Sequence, residues 1–316
     1  LTPNNYFFLS SEPDDQKMSN FMLRAKYRIT DFTDLDLAII PYYEPSVYRY
    51  DLFAINPNAS FTDMALPVTN FDNISYAARL NFDFPVIGFS FSGFRGYDTF
   101  FGFRTSNIDL STGTPIITYT PESYKKTSIG ADFAIPLGSW ILRAEAAYNI
   151  TKDYEDNMHI PNPNAFYVAG LEKTIKGFTF IGQYIGKYTM DFKELNTPVL
   201  QNPLNPLEVF NYANEMVLFE SESFNRKIFG QQEEMNHAAS LTITKNLRYE
   251  TIQLELTSYY NFTSEETMLR PKIQWRISDA LSASLGGSWM SGKDGSTFYY
   301  ASKILNGAFA ELKISF

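Results

Sequence analysis

Two short runs of bases are the first residues whose types and spacing suggest chemistry. "RAKYR" carries Arg24, Lys26 and Arg28, and "RPKIQWR" carries Arg270, Lys272 and Arg276. Bases two or four residues apart share one face of an extended strand, where they would form ladders that attract anionic solutes or headgroups. Arg79 and Arg143 fall on the same face of their own segments. Catalytic chemistry has little to work with. Of the two histidines, His159 lies in the loop "DNMHIPNPN" and His237 at a strand edge. A serine and histidine lipase site would have to use one of them, and neither stands near a nucleophile motif, so a surface or rim role is expected. The acidic pairs Asp14 and Asp15, and Glu233 and Glu234, lack the regular oxygen-ligand spacing of a dedicated calcium loop. "SGFRGYD" and "SGKDGS" lack the Lys-Ser/Thr of a phosphate loop and read as turns. With no cysteine there is no disulfide scaffold, thiolate zinc site or cysteine nucleophile. No enzyme activity, cofactor or metal is expected.

The elements that would hold the bases are strands. "FMLRAKYRI" puts Phe21, Leu23, Ala25, Tyr27 and Ile29 on one face and its bases on the other. "SWILRAEAAYNI" does the same, and its aromatics Trp140 and Tyr148 bracket small apolar residues. Eight steps of about 3.3 Å, tilted near 45°, span roughly 19 Å, close to the distance between the aromatic girdles of a membrane barrel. Similar segments are predicted at 35–43, 76–84, 87–94, 127–135, 167–171, 178–188, 237–243, 252–262, 269–277 and 281–289. With the closing "GAFAELKISF" they make about thirteen strands, or fourteen if "NYFFLSS" adds one. In that last strand Leu312, Ile314 and the terminal Phe316 share the apolar face and resemble the carboxy-terminal assembly signal of outer-membrane proteins.

Tight turns such as "TDFTD", "PVIG" and "TIKG" alternate with long links near 44–74, 96–125, 151–164 and 189–235. Short turns on one side and long loops on the other are the asymmetry of an outer-membrane barrel. Composition agrees: aromatics are 16% of the 316 residues, yet mean hydropathy is only -0.22. No apolar run approaches the roughly 18 residues of a spanning helix. The prediction is one all-β domain over residues 1–316, an antiparallel transmembrane β-barrel. Thirteen is odd where such barrels use even numbers, so a larger barrel of about 16–18 strands, of which this is the carboxy-terminal part, stays open. The start "LTPNNYFFLSSEPDDQK" shows no signal-peptide pattern.

The net charge of -9 disfavours a nucleic-acid partner. By alternation, the inward face also receives Lys187 and Lys313, along with acids that include Asp36, Asp132, Glu145, Glu172, Glu255 and Glu311. Two readings stay open here: opposite charges pair and stiffen the wall, or the bases select anions.

Several stretches, "LDLAIIPYYEPS", "ISYAARLNFDF", "IGADFAIPLGSWILRAEAAY", "GQYIG" and "MLRPKIQWRISDALSASLGG", resemble a bacterial outer-membrane barrel family, the domain of unknown function 1302. The resemblance implies a Gram-negative outer membrane location and upstream strands before the "PYYEPS"-like segment. Implied partners are outer-membrane lipid, the barrel-assembly machinery and periplasmic or inner-membrane exporter components. The expected function is a channel or export-pathway component for small anionic or lipid-like solutes. The alternative is a non-conducting structural or docking subunit of an envelope assembly, with a lipase-type barrel enzyme last.

Overall fold

Alternating side chains favour strands because each strand then shows one apolar and one polar face, and tight turns between them favour antiparallel neighbours. The computed structural model describes residues 2–6, 16–48, 59–111 and 115–314. Its strands are β1 (Leu23–Thr30), β2 (Thr33–Ile40), β3 (Ala59–Phe61), β4 (Ser75–Phe84), β5 (Ile87–Tyr97), β6 (Gly102–Asp109), β7 (Ile116–Glu122) and β8 (Lys125–Leu137). They continue with β9 (Trp140–Thr151), β10 (Asn164–Ile175), β11 (Phe178–Thr189), β12 (Met235–Leu247), β13 (Ile252–Asn261), β14 (Glu266–Arg276), β15 (Leu281–Ser291) and β16 (Gly307–Ile314). Two helices join them, α1 (Pro206–Phe229) and α2 (Thr297–Leu305). Neither is long and apolar enough to cross a membrane.

Thirteen strands form one antiparallel sheet in the order β1-β2-β4-β5-β8-β9-β10-β11-β12-β13-β14-β15-β16. Each corresponds to one predicted segment, several being longer, such as β10 over 164–175 against a predicted 167–171. The possible fourteenth strand, residues 5–11, lies outside the described residues from 7 onward; its Asn5 bridges to Val47, and Asn4 before it to Lys17, neither of them in the large sheet. In an up-and-down sheet of thirteen strands the first and last run in the same direction. Among the described residues no pairing joins β1 to β16. Closure therefore requires either a parallel seam or an odd number of further antiparallel strands, since an open edge in lipid leaves backbone groups unsatisfied.

Register carries one apolar face through the sheet. Ala131, Ala146, Tyr167 and Gly186 are successive cross-strand partners. Gly186 is required there: a Cβ would lie 2.2 Å from the Tyr167 ring that rests on it. This face is bare. Trp140 is 42% exposed, Trp289 49% and Leu312 64%, with no second layer packed on them among the described residues. Near the tight turns, Lys173 stacks on Trp140 at 4.2 Å and Lys245 on Phe178 at 4.3 Å, aromatic bodies with polar tips, as at a membrane boundary.

The long links fold into a cap. β3, β7 and β6 make a small sheet, β3 parallel and β6 antiparallel to β7. Helix α1 packs on it, starting at the Asn205 cap with Pro206 in its first turn and ending at Gly230, whose φ of 59° a side chain would strain. Tyr48, Phe101, Phe103, Ile117, Tyr119, Val217 and Phe224 form its buried core. The side chain of Asn225 accepts from the Phe103 N–H and donates to the Phe103 carbonyl, both at 2.8 Å, completing the free edge of β6.

The cap sits on the polar side of the large sheet. Lys126, Asn149, Asn164 and Lys187, from four strands, line a cavity with Ile228 and Phe229. Two residues apart at the end of α1, Phe229 meets Tyr124 at the entry of β8, and Lys227 stacks over Tyr300 of α2. β8 and β15 are seven steps apart, about 34 Å if flat. Their meeting at one helix end shows that the sheet curls around the cap.

Candidate functional site

The strand register sets the bases of both ladders, Arg79 and Arg143 on the concave face, and the structure brings most of them to acids. Arg24 donates through Nε to both Asp36 oxygens at 2.8 and 3.0 Å. Lys26 lies 3.1 Å and Arg28 3.4 Å from Asp34. Asp34 escapes the sequence reading because the predicted strand begins at Leu35; its spacing of two from Asp36 is the available signal. Arg79 donates to Ser90 at 3.0 Å and Asp132 at 2.9 Å, while Ser90 also donates to Asp132. Asp132 and Glu145 are direct cross-strand partners, a repulsive arrangement that Arg79 offsets. Arg143 reaches Glu172 at 3.4 Å.

In the second ladder, Arg270 faces Thr257, Lys272 is buried opposite Glu255, and Arg276 faces Ser282. The two ladders stand near opposite edges of the sheet. Between them the concave face leaves a groove of about 480 Å³ lined by Arg79, Asp132, Arg143, Glu145, Glu172 and Gln183 among others. Leu312 and Ile314 are exposed on the apolar face, and Phe316 lies outside the described residues.

Above the groove, at the end of the long links, cap meets wall. Asp98 accepts from Lys126 at 2.6 Å, from the Tyr124 hydroxyl at 2.9 Å and from the Phe100 N–H at 3.1 Å. Burial, and then the Asp98 carboxylate, push the Tyr124 hydroxyl well up, so it stays a donor. Lys187 donates to the carbonyl of Phe229 at the end of α1, where the helix dipole is negative. Both α1 and α2 escape the strand-based reading. The signals are present: Asn205-Pro206 before and Gly230 after α1, and Ser296, which accepts from the Tyr299 N–H, before α2.

Neither histidine joins a nucleophile. His237 lies on the outer face beside the Tyr184 hydroxyl. His159 is not at the surface: it is 6% exposed under the cap, because its loop folds onto β6 at Gly102, where a Cβ would lie 2.1 Å from the His159 carbonyl. Its Nε2 is 3.9 Å from Glu122, which Arg104 engages at 2.6 Å, and its Nδ1 has no partner among the described residues. Burial lowers its pKa, Glu122 raises it and Arg104 lowers it, leaving it below the ordinary 6.5. The neutral ring thus belongs to the folded cap, and stability present above pH ~6.5 is lost as pH falls through the lower folded value. Protection factors of the β6 and β7 amides, corrected for the pH dependence of intrinsic exchange, should fall on acidification, and His159→Gln should flatten that dependence. An unchanged profile in the variant would count against it.

Glu234 accepts from the Tyr188 hydroxyl at 3.0 Å, while Asp14 and Asp15 fall outside the described residues. Among the described residues no three metal-ligating side chains come together.

A curled antiparallel sheet with a bare apolar outer face, a charged inner face and one capped mouth defines a porin-like transmembrane β-barrel. Solved structures similar to it include the outer membrane channel DcaP of Acinetobacter baumannii, at 10% identity and TM-score 0.41, over 92% of this chain and 67% of that one. A mutant of the Rh. blastica porin is similar at 10% identity and TM-score 0.42, over 97% and 80%. The outer membrane phospholipase of Salmonella typhi is similar at 10% and 0.31, over 77% and 78%. At this distance none of them bears on what the chain does. No protein-family description matches the chain and no curated protein is similar to it, so membership of the family it resembles is not shown.

Proposed function

We propose that this chain is an outer-membrane barrel channel of a Gram-negative envelope, passing small anionic or lipid-like solutes along its concave face under a folded cap. The observation that carries the reading is the charged groove of about 480 Å³ lying on the side of the sheet to which the cap is fastened. A solute on that face meets charge and amide groups, while the opposite face offers mainly apolar side chains to lipid. Leu312 and Ile314 would serve the assembly machinery, and exporter components are the partners expected on the tight-turn side.

Conductance in planar bilayers tests this. The purified protein should open small channels, and replacing Arg24, Lys26 and Arg28 together by Gln should shift reversal potential toward cations, because Asp34 and Asp36 are left unneutralised. Adding Asp34→Asn and Asp36→Asn should reverse most of the shift. The pairing of Arg24, Lys26, Arg28, Arg79 and Arg143 with acids favours a second reading, a stiff non-conducting wall that docks an envelope assembly. Absence of any channel, with folded protein in the bilayer, would leave that reading standing.

A further inference from the structure

Outside the ladders, the concave face holds an ion pair of which both members are largely enclosed, Asp98 with Lys126. Two cavities lie side by side where the long links meet the wall. The first, about 260 Å³, is lined by Tyr43, Glu44, Ser75, Tyr97 and Ser128 among others, on the side of β2, β4 and β5. The second, about 190 Å³, is lined by Tyr124, Asn149, Asn164, Lys187 and Phe229 among others, on the side of β9, β10, β11 and α1. Asp98 and Lys126 are the residues that line both. Their ion pair, fixed by the Tyr124 hydroxyl and the Phe100 N–H, is thus the partition between them. Each space would hold roughly six to nine waters at about 30 Å³ apiece, enough for a small hydrated solute.

We propose that the Asp98–Lys126 pair is the selectivity constriction of this channel, an inference that rests on the channel reading above. Charge changes sign across it. The first cavity adds only Glu44 to the shared pair and the second adds only Lys187. The buried Tyr43 hydroxyl, which has no partner among the described residues, gives the first cavity a further polar group. A solute crossing between them must part or skirt the pair, so both charges act within contact distance. The side chains of Arg24, Lys26 and Arg28 are more than half exposed, so solvent weakens their hold on a passing ion. Asp98 and Lys126 side chains are only 16% and 24% exposed.

Opposite shifts are the test. Asp98→Asn keeps an acceptor for Tyr124 and Phe100 and leaves Lys126 and Lys187, so the permeability ratio should move toward anions. Lys126→Met leaves Asp98 and Glu44, and the ratio should move toward cations. Each change should be about threefold to fivefold, the effect of one unit charge about 5 Å from a solute ion in water-like surroundings. Because the chain has no cysteine, Ser128→Cys places a single thiol in the first cavity. Its modification by a charged thiol reagent should cut conductance, and modification of Ser284→Cys on the wall should not. That pair of variants leaves Asp98 and Lys126 in place and serves if either charge variant fails to insert. A conducting wild type whose ratio ignores both charge variants, or a Ser128→Cys channel whose thiol reacts without effect on conductance, overturns this inference alone. A folded wild type that does not conduct overturns the channel reading and this inference with it.

Discussion

Phe103→Ala should loosen the cap by about 3–5 kcal/mol, the usual effect of emptying an aromatic site in a packed core. Phe103 is fully buried, touching Phe61, Phe101 and Phe224 at ring distances of 4.9 to 5.8 Å, and Asn225 holds both its backbone polar groups. These neighbours are rigid rings that cannot collapse into the space. The barrel strands do not share this core. Limited proteolysis should therefore cut within the 98–124 and 190–234 links while heat-modified gel mobility, a property of the strand sheet, stays normal. If the channel reading holds, conductance rises as the cap detaches. Equal loss of cap and barrel would show that the two are one cooperative unit.

Ala144→Arg should cost about 2–4 kcal/mol, and Ser284→Arg much less, because a charge at the lipid midplane cannot be solvated whereas one on the concave face can. Ala144 is cross-strand partner to Phe133 and Ala169 in the middle of the bare apolar face. Ser284 lies opposite Gln274 and Glu311 on the polar face, with a carboxylate within reach of a new guanidinium. Urea unfolding from lipid vesicles measures both. Equal penalties would mean that the outer face does not meet lipid.

The sheet can be read from the chain almost strand for strand because its determinants are local. Trp140, Leu142, Ala144, Ala146 and Tyr148 alternate with Arg143 and Glu145, and any pairing that buries one set in lipid must turn the other inward. The tight turns then fix which strands are neighbours. Alternation also places Arg24, Lys26, Arg28, Arg79 and Arg143 on the concave face without contact information. Their acids are less visible, and Asp34 is lost to a strand start set at Leu35.

Tertiary structure alone decided the cap and everything at its seam. Phe103, Tyr119 and Phe224 come from links that look like polar loops, and their core exists only because segments more than 100 residues apart converge. Asp98 gains its meaning from Lys126 and Tyr124, and Lys187 from the last carbonyl of α1, contacts that no periodicity encodes. His159 is expected at the surface because its loop is polar; it is buried because that loop folds against Gly102. Periodic order is written within each strand, where every residue reports its own face. The cap depends on which distant loops meet, and that is settled by packing between them.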